Sequence, residues 1–288
     1  MLIKSYKNYF FEALSILYDE KEIESFFYII AEYLHQKKRI DIALSPNFII
    51  DDVTLQKWEN ILNDLKNQKP IQYIIGETHF YGLPFLVNSN TLIPRPETEE
   101  LVDLIIKECS NIQFASSKIK ILDIGTGSGC IAISLAKNLP NAQVFALDVS
   151  QKAIEVAQKN AEKNAVEVNF ILADILEIED IENTTTFDII VSNPPYVRMV
   201  EKAEIKPNVL DYEPHLALFV EDNDALLFYR KIAQLAQKSL TKNGKLFFEI
   251  NQYLGKETVE LLKEKGFKEI VLKKDIYGND RMIKAESI

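Results

Sequence analysis

Residues 119–137 read IKILDIGTGSGCIAISLAK, an apolar run followed by a glycine-rich turn and a second apolar run. The first run, Ile119–Ile124, has the pattern of a buried strand, and the apolar residues from Cys130 to Lys137 recur at helical spacing. Glycines permit positive φ and close backbone approach, so the turn between them suits a nucleotide-like ligand. The stretch predicts an α/β fold with a ligand at Gly125–Gly129.

The next predicted strand, Ala142–Leu147, ends in an acid, Asp148. It lies about twenty residues beyond the turn, the spacing at which a carboxylate bonds both hydroxyls of a ribose. The glycine spacing is G-x-G-x-G, whereas dinucleotide-binding folds use G-x-G-x-x-G. This spacing suits a nucleoside with an amino-acid tail rather than a pyrophosphate, so we expect S-adenosylmethionine. The alternative is a tight strand-to-helix turn that holds no ligand.

A second motif, Asn193-Pro194-Pro195-Tyr196, directly follows another predicted buried strand, Phe187–Val191. The prolines cannot continue a central strand, because neither has an N–H to donate. Asn193 is therefore expected at the carboxyl end of the strand, the edge where open α/β sheets bind ligands. An amide oxygen, proline carbonyls and an aromatic face together suit a planar group that carries N–H bonds. The alternative is a proline-broken surface loop.

The composition indicates a globular protein of 288 residues, 47% of them hydrophobic, with a formal net charge of −10. No apolar stretch approaches the ~20 residues of a membrane span, and we recognise no signal peptide, so we expect a cytoplasmic protein. Two cysteines form no disulfide framework and three scattered histidines no metal cluster, so no metal is expected. The acidic balance disfavours tight non-specific binding to nucleic acid, which requires Lys and Arg to displace counterions.

The regions on either side of the two motifs differ in pattern. Residues 5–67 contain no glycine, and their apolar residues recur at three- and four-residue steps, which predicts a helical bundle with an aromatic core. Residues 71–92 predict a β-hairpin that links this bundle to the rest of the chain. Arg95 follows between two prolines, and we hypothesise that it faces the carboxylate of the cofactor.

Strand and helix alternate from residue 118 onward. At the end of the predicted strand Val166–Leu172, Asp174 can bond an adenine amino group and Ile175 can cover the adenine ring; the alternative is a plain helix cap. The last two predicted strands, Phe267–Lys273 and Arg281–Lys284, are joined by a short turn, which implies an antiparallel pair at the sheet edge. Such an ending departs from a dehydrogenase and is typical of the seven-stranded methyltransferase sheet.

Besides the glycine turn, short motifs occur along most of the chain: Tyr73–Glu77, Phe80–Gly82, Leu92–Glu99, Ser192–Tyr196, Glu213-Pro214 and Glu249-Ile250. With them, the chain closely resembles the bacterial peptide chain release factor N(5)-glutamine methyltransferases, the PrmC/HemK family. The segment Leu92–Glu99 is the specific part, since amino-methyltransferases of several substrate classes share Asn-Pro-Pro-Tyr. One departure is Asn251, where this family usually has glycine, so the local backbone geometry there is an open question.

The resemblance implies a Rossmann-like class I methyltransferase sheet of seven strands with antiparallel final strands, plus a small all-helical N-terminal domain joined by a β-hairpin. It implies a partner-recognition domain at 1–70, a hairpin linker at 71–92 and an S-adenosylmethionine-dependent methyltransferase domain at 93–288. The expected cofactor contacts are Gly125, Thr126, Gly127, Ser128, Gly129, Asp148, Asp174, Ile175 and Asn193. The expected catalytic residues, which would hold the glutamine of a Gly-Gly-Gln loop, are Asn193, Pro194, Pro195 and Tyr196.

We expect the Asn193 oxygen and the Pro194 carbonyl to accept the two N–H bonds of that glutamine, with Tyr196 packed against the amide plane. Three other functions compete: methylation of exocyclic amines in DNA or rRNA, cofactor binding without catalysis, and a dehydrogenase. The acidic balance disfavours a nucleic-acid substrate. The intact Asn193 and Tyr196 disfavour a protein that binds the cofactor without catalysis, and the glycine spacing disfavours a dehydrogenase. The expected partner is a class I release factor. We expect the chain to bind neither nucleic acid nor a membrane, and to be a monomer.

Overall fold

A computed structural model of the chain describes residues 1–45, 47–111, 119–181 and 186–287. The chain forms two compact units. The first contains residues 1–76 together with 206–212, and the second contains residues 77–205 together with 213–288. Within the described residues, no helix is both long and apolar enough to cross a membrane.

The first unit is helical, as the apolar spacing predicts. Its first five helices are α1 (Ile3–Leu14), α2 (Glu20–His35), α3 (Arg39–Leu44), α4 (Asp52–Lys66) and α5 (Ile71–Ile75). Two carboxylates cap the longer helices: Asp19 Oδ1 accepts the Glu22 N–H and Asp51 Oδ1 accepts the Thr54 N–H, both at 2.9 Å. Each cap supplies a partner to a first-turn backbone donor that has none within its helix.

Aromatic side chains form the core of the first unit, which confirms the interpretation of the apolar stripes. Tyr6, Phe10, Phe27 and Trp58 are fully buried. The Trp58 ring packs edge-on against Tyr6 and Phe10, with centroid distances of 5.2 and 5.9 Å. Its indole N–H donates to His35 Nε2 at 3.0 Å, so the polar atom of this buried side chain has a partner.

The hairpin predicted for residues 71–92 begins later than expected. The apolar, β-branched run Ile71–Ile75 forms helix α5 instead of a strand. Pro70 precedes the helix and Gly76, with φ at 81°, ends it in the left-handed conformation that is common at helix ends. Ile71 packs in the core of the first unit, and this burial outweighs the strand preference of its neighbours.

The hairpin itself belongs to the second unit. It pairs β1 (Glu77–Phe80) with β2 (Leu83–Leu86) through the two-residue turn Tyr81-Gly82. Both turn residues have positive φ, 49° and 73°, as a type I′ turn requires. The Asn160 side chain accepts the Leu86 N–H at 2.6 Å and donates to the Leu86 carbonyl at 2.9 Å, which joins the hairpin to the rest of the unit.

A seven-stranded sheet forms the centre of the second unit. The remaining strands of the chain are β3 (Ile119–Ile124), β4 (Ala142–Asp148), β5 (Asn169–Leu172), β6 (Phe187–Ser192), β7 (Val197–Arg198), β8 (Phe219–Val220), β9 (Leu240–Glu249), β10 (Lys268–Lys274) and β11 (Asp280–Glu286). The order in the sheet is β10-β11-β9-β6-β3-β4-β5. Strands β3, β4, β5, β6 and β9 run parallel, whereas β11 is antiparallel to both β9 and β10. The predicted antiparallel ending is confirmed.

Helices cover both faces of this sheet. The remaining helices are α6 (Pro96–Asn111), α7 (Cys130–Asn138), α8 (Gln151–Lys163), α9 (Pro207–Leu210), α10 (His215–Leu218), α11 (Leu227–Ser239) and α12 (Gly255–Glu264), of which α9 lies in the first unit. Successive strand residues point to opposite faces. Ile121 accordingly joins the apolar cluster beneath α6 and α7, while Leu122 joins the cluster beneath α11 and α12.

Candidate active site

A cavity of about 280 Å³ lies at the carboxyl ends of β3, β4 and β6. Strand β3 is central: the chain adds β4 and β5 on one side of it and β6 on the other, and such a switch point opens a crevice in α/β sheets. The predicted site residues that line the cavity are Gly125, Thr126, Gly127, Ser128, Asp148, Asp174, Ile175, Asn193, Pro194 and Pro195. Two predicted residues, Gly129 and Tyr196, are not among its lining residues.

The glycine turn brings backbone close to the cavity. Gly125 and Gly127 have positive φ, 74° and 56°, a region that side-chain-bearing residues rarely adopt. A Cβ at either position would meet no atom within 4 Å, so the turn borders open space. Gly129 has a different role: a Cβ there would lie 2.8 Å from Ile133 and 3.1 Å from Ala157, so glycine allows the close packing of α7 and α8.

Asp148 holds the turn in place from the end of β4. Its Oδ2 accepts the Gly127 N–H and its Oδ1 accepts the Ser150 N–H, at 2.8 and 2.9 Å. Burial raises the pKa of this carboxyl, and the two N–H donors act against that rise. Each carboxylate oxygen has two lone pairs, so Asp148 retains capacity to accept from hydroxyl groups in the cavity.

Asp174 and Ile175 both line the cavity, and their predicted contacts with an adenine ring stay a prediction. Asp174 Oδ1 accepts the Leu176 N–H at 2.8 Å, so the carboxylate also stabilises its own turn. Ile175 is buried and belongs to the apolar cluster beneath α11 and α12. The pair presents an acceptor beside an apolar surface, which is the combination that a purine ring with an amino group requires.

Asn193 is oriented by a neighbour on α6. Its Nδ2 donates to Thr98 Oγ1 at 3.4 Å. Among the described residues, none donates to its Oδ1, and the side chain lines the cavity. Pro194 and Pro195 also contribute to the wall. The end of β6 therefore places at the cavity a residue whose amide oxygen is available to accept a hydrogen bond.

Tyr196 points elsewhere. Its hydroxyl donates to Glu249 Oε1 at 3.1 Å, and its ring packs with the cluster beneath α11 and α12. Burial and the nearby Glu249 both raise the pKa of this phenol. The expected packing of Tyr196 against an acceptor amide stays a prediction; in this structure the residue lines a second, smaller hollow together with Asn251 and Arg281.

Thr98, which lines the cavity, and Glu249, which accepts its hydroxyl proton, belong to the site although the sequence motifs did not assign them to it. Glu249, at the end of β9, is 1% exposed and accepts hydrogen bonds from Thr98 Oγ1 at 2.6 Å and from Tyr196. Burial raises the pKa of Glu249, while the hydroxyl donors lower it. The sequence signal that could have identified Glu249 is a single acid at the end of an apolar strand, since an acid is rarely buried there without a partner.

Arg95 lines the cavity but is already paired. Its guanidinium donates to Glu213 Oε1 at 2.6 Å, and the Ile93 N–H donates to Glu213 Oε2 at 3.0 Å. Glu213 is buried, so it holds the proline-framed segment in one place. A guanidinium has five N–H donors, so this pairing leaves others for an anionic ligand group. The proposed contact with a carboxylate stays a prediction.

Asn251 adopts its conformation without strain. It is not among the residues with positive φ, so the position does not require glycine in this chain. Its Nδ2 donates to the Tyr196 carbonyl and to Glu201 Oε2, both at 2.9 Å, and its Oδ1 accepts the Tyr253 N–H at 2.9 Å. The side chain thus anchors the end of the Asn-Pro-Pro-Tyr segment.

The sheet order, the antiparallel final strands and the glycine turn at the cavity define a Rossmann-like methyltransferase. Comparison with known proteins agrees: residues 115–277 match a model of a methyltransferase domain, and residues 10–76 match the PrmC N-terminal domain. The fold is similar to the 16S rRNA N2 G1207 methyltransferase of T. thermophilus, with a TM-score of 0.52 and 20% identity, covering 74% of this chain and 50% of that one.

Sequence relatives identify the family. The chain is 67% identical to the release factor glutamine methyltransferase of Flavobacterium psychrophilum, over 99% of both chains. It is 43% identical to that of Bacteroides thetaiotaomicron, over 96% of this chain and 97% of the relative. The chain belongs to the release factor glutamine methyltransferase family, which confirms the resemblance found in its motifs.

Proposed function

We propose that this chain transfers a methyl group from S-adenosylmethionine to the side-chain amide nitrogen of the glutamine in the Gly-Gly-Gln loop of class I release factors. The placement of Asn193 carries the proposal, because the residue lines the cavity and one of its amide N–H bonds is used on Thr98, while its amide oxygen has no donor among the described residues. That oxygen is an acceptor, and a glutamine side chain offers two N–H donors. The identity to release factor glutamine methyltransferases over the whole chain supports the same substrate class.

The residues of the cavity fit the cofactor. Asp148 would accept from the ribose hydroxyls, Asp174 from the adenine amino group, and Ile175 would cover the ring. The open space beside Gly125 and Gly127 admits a ligand to within contact of the backbone. When bound, the cofactor supplies a methyl group made electrophilic by a sulfonium.

The protein's task is to orient a weak nucleophile. The lone pair of a carboxamide nitrogen is delocalised into its carbonyl, so the nitrogen must be held and pyramidalised. The Asn193 oxygen and the Pro194 carbonyl accept its two N–H bonds and direct the lone pair toward the methyl group. Positioning of this kind supplies much of the rate acceleration, and alkylation makes the nitrogen acidic enough to lose its proton without a strong base.

The test uses the purified chain with S-adenosylmethionine carrying a labelled methyl group. Separate reactions contain a class I release factor, the same factor with glutamine replaced by alanine in its Gly-Gly-Gln loop, rRNA and DNA. We expect label only on the first, located on the glutamine by mass spectrometry of the peptide. Label on rRNA or DNA without label on the release factor would establish the competing nucleic-acid function.

The helical unit is proposed to recognise the release factor. Ile40 and Leu44 of α3 are 61% and 76% exposed, although both are large and apolar. They are four residues apart and therefore share one face of the helix, while Ile42 between them is buried. Contiguous exposed apolar surface marks sites that bind another protein, so this pair on one helix face supports the proposal.

A further inference from the structure

Glu249 occupies a position that fold stability alone does not explain. Its carboxylate is buried, and burying an acid costs free energy unless hydrogen bonds compensate. Its side-chain donors are Thr98 on α6, which lines the cavity, and Tyr196, which directly follows the lining residue Pro195. The acid therefore joins two segments of the site across 151 and 53 residues of chain, respectively.

The direction of the hydrogen bonds follows from chemistry. Both oxygens of Glu249 accept a hydroxyl proton, Oε1 from Tyr196 and Oε2 from Thr98, so the single proton of the Thr98 hydroxyl is given to the acid. The Thr98 oxygen is then left with lone pairs alone, and it accepts an N–H from Asn193 Nδ2. Because the amide nitrogen of Asn193 is held on Thr98, the amide oxygen lies on the other side of the amide group, where no described residue donates to it.

We propose that Glu249 is a positioning residue, which acts through Thr98 to hold the Asn193 amide with its oxygen toward the acceptor glutamine. This inference rests on the proposed function. Without the carboxylate, the Thr98 hydroxyl is free to donate to Asn193 Oδ1. The amide then turns over and presents its N–H groups to the N–H groups of the substrate, which repels the substrate from the reactive orientation.

Four variants test the chain of contacts. Glu249→Met removes the acceptor at similar length, and Thr98→Val removes the hydroxyl at similar shape. Thr98→Ser keeps the hydroxyl and serves as the conservative rescue. Asp188→Leu is the matched control, because Asp188 also accepts a threonine hydroxyl, from Thr241 at 3.1 Å, but lies at the opposite end of β6.

Each variant is assayed for kcat and KM with release factor, for cofactor Kd by calorimetry, and for Tm. We expect Glu249→Met and Thr98→Val to lower kcat at least about tenfold, with cofactor Kd changed by less than about twofold, as for the loss of an interaction made in the transition state. Thr98→Ser and Asp188→Leu should keep kcat within about threefold of wild type. In an Asn193→Ala background, Thr98→Val should lower kcat by less than about twofold further, because residues that act as a unit are non-additive.

The inference is overturned if Thr98→Val retains wild-type kcat, or if its effect is undiminished in the Asn193→Ala background. A fall in Tm with unchanged kcat for Glu249→Met would assign the acid a structural role. These outcomes are distinct from failure of the proposed function, in which the wild-type chain itself would not methylate the release factor. If Glu249→Met does not fold, the Thr98 variants still decide the question.

Discussion

Replacement of Asp123 by asparagine should stabilise the protein at neutral pH and hardly at all at low pH. Asp123 lies in β3 and is fully buried, and burial raises its pKa from 3.8 to about 7. The Thr126 hydroxyl, which donates to Asp123 Oδ2 at 2.6 Å, offsets only part of this effect. The native state therefore prefers the protonated acid, while the unfolded chain ionises it readily.

The sign follows from proton linkage. A carboxyl whose pKa is raised by folding stabilises the native state below its unfolded pKa, and this contribution is lost as the pH rises through the folded pKa. A rise of about three units corresponds to about 4 kcal/mol at most, at about 1.4 kcal/mol per unit. Between pH 5 and pH 8, the free energy of unfolding of the wild-type protein should fall by about 2.5 kcal/mol through this group. The asparagine side chain of the variant does not titrate. The free energy of unfolding of Asp123→Asn, relative to wild type, should therefore increase by this amount between pH 5 and pH 8.

Urea unfolding at several values between pH 5 and pH 8 measures the difference between the two proteins at each pH. Other titrating groups are common to both chains and cancel in the difference. A Glu264→Gln variant, at an exposed helix position, controls for the loss of one negative charge. The reasoning fails if the difference in free energy of unfolding between Asp123→Asn and wild type does not change with pH, because folding then does not raise the pKa of Asp123.

Three further predictions follow from the site and its surroundings. Asn193→Ala should lower kcat on the order of 10²-fold, as for loss of a preorganised polar contact, with cofactor affinity retained; equal loss of both would indicate a cofactor or folding role instead. Ile40→Ser with Leu44→Ser should raise KM for the release factor about tenfold, or about 1.4 kcal/mol, at unchanged kcat, whereas the exposed Ile276→Ser should not; an unchanged KM would remove helix α3 from the docking surface. Asn251→Gly should destabilise the chain by about 2–3 kcal/mol in urea unfolding, because three hydrogen bonds are lost and the unfolded chain gains freedom; unchanged stability would mean that water replaces those bonds.

Much of the fold and part of the site were predictable because they depend on local patterns. The strand Ile119–Ile124, the glycine turn and the helix that follows are encoded within one short stretch, so spacing alone indicates them. Asp148 and Asn193 follow strands directly, and the carboxyl ends of parallel strands meet at one edge of a sheet. These residues accordingly line the same cavity.

Other features depended on contacts between distant parts of the chain. The run Ile71–Ile75 has the composition of a strand but is helical, since Ile71 is buried in a helical core. Gly129 belongs to a ligand-binding motif, yet its lack of a side chain serves the packing of two helices.

The orientation of the Asn193 amide has the same origin. It depends on Thr98 and Glu249, which lie 151 residues apart in sequence and meet only when α6 packs beside β9. Periodicity and spacing reveal which residues reach the edge of the sheet, because they reflect backbone geometry. The direction of a hydrogen bond at that edge depends on which groups folding brings together, so it is a property of the assembled core.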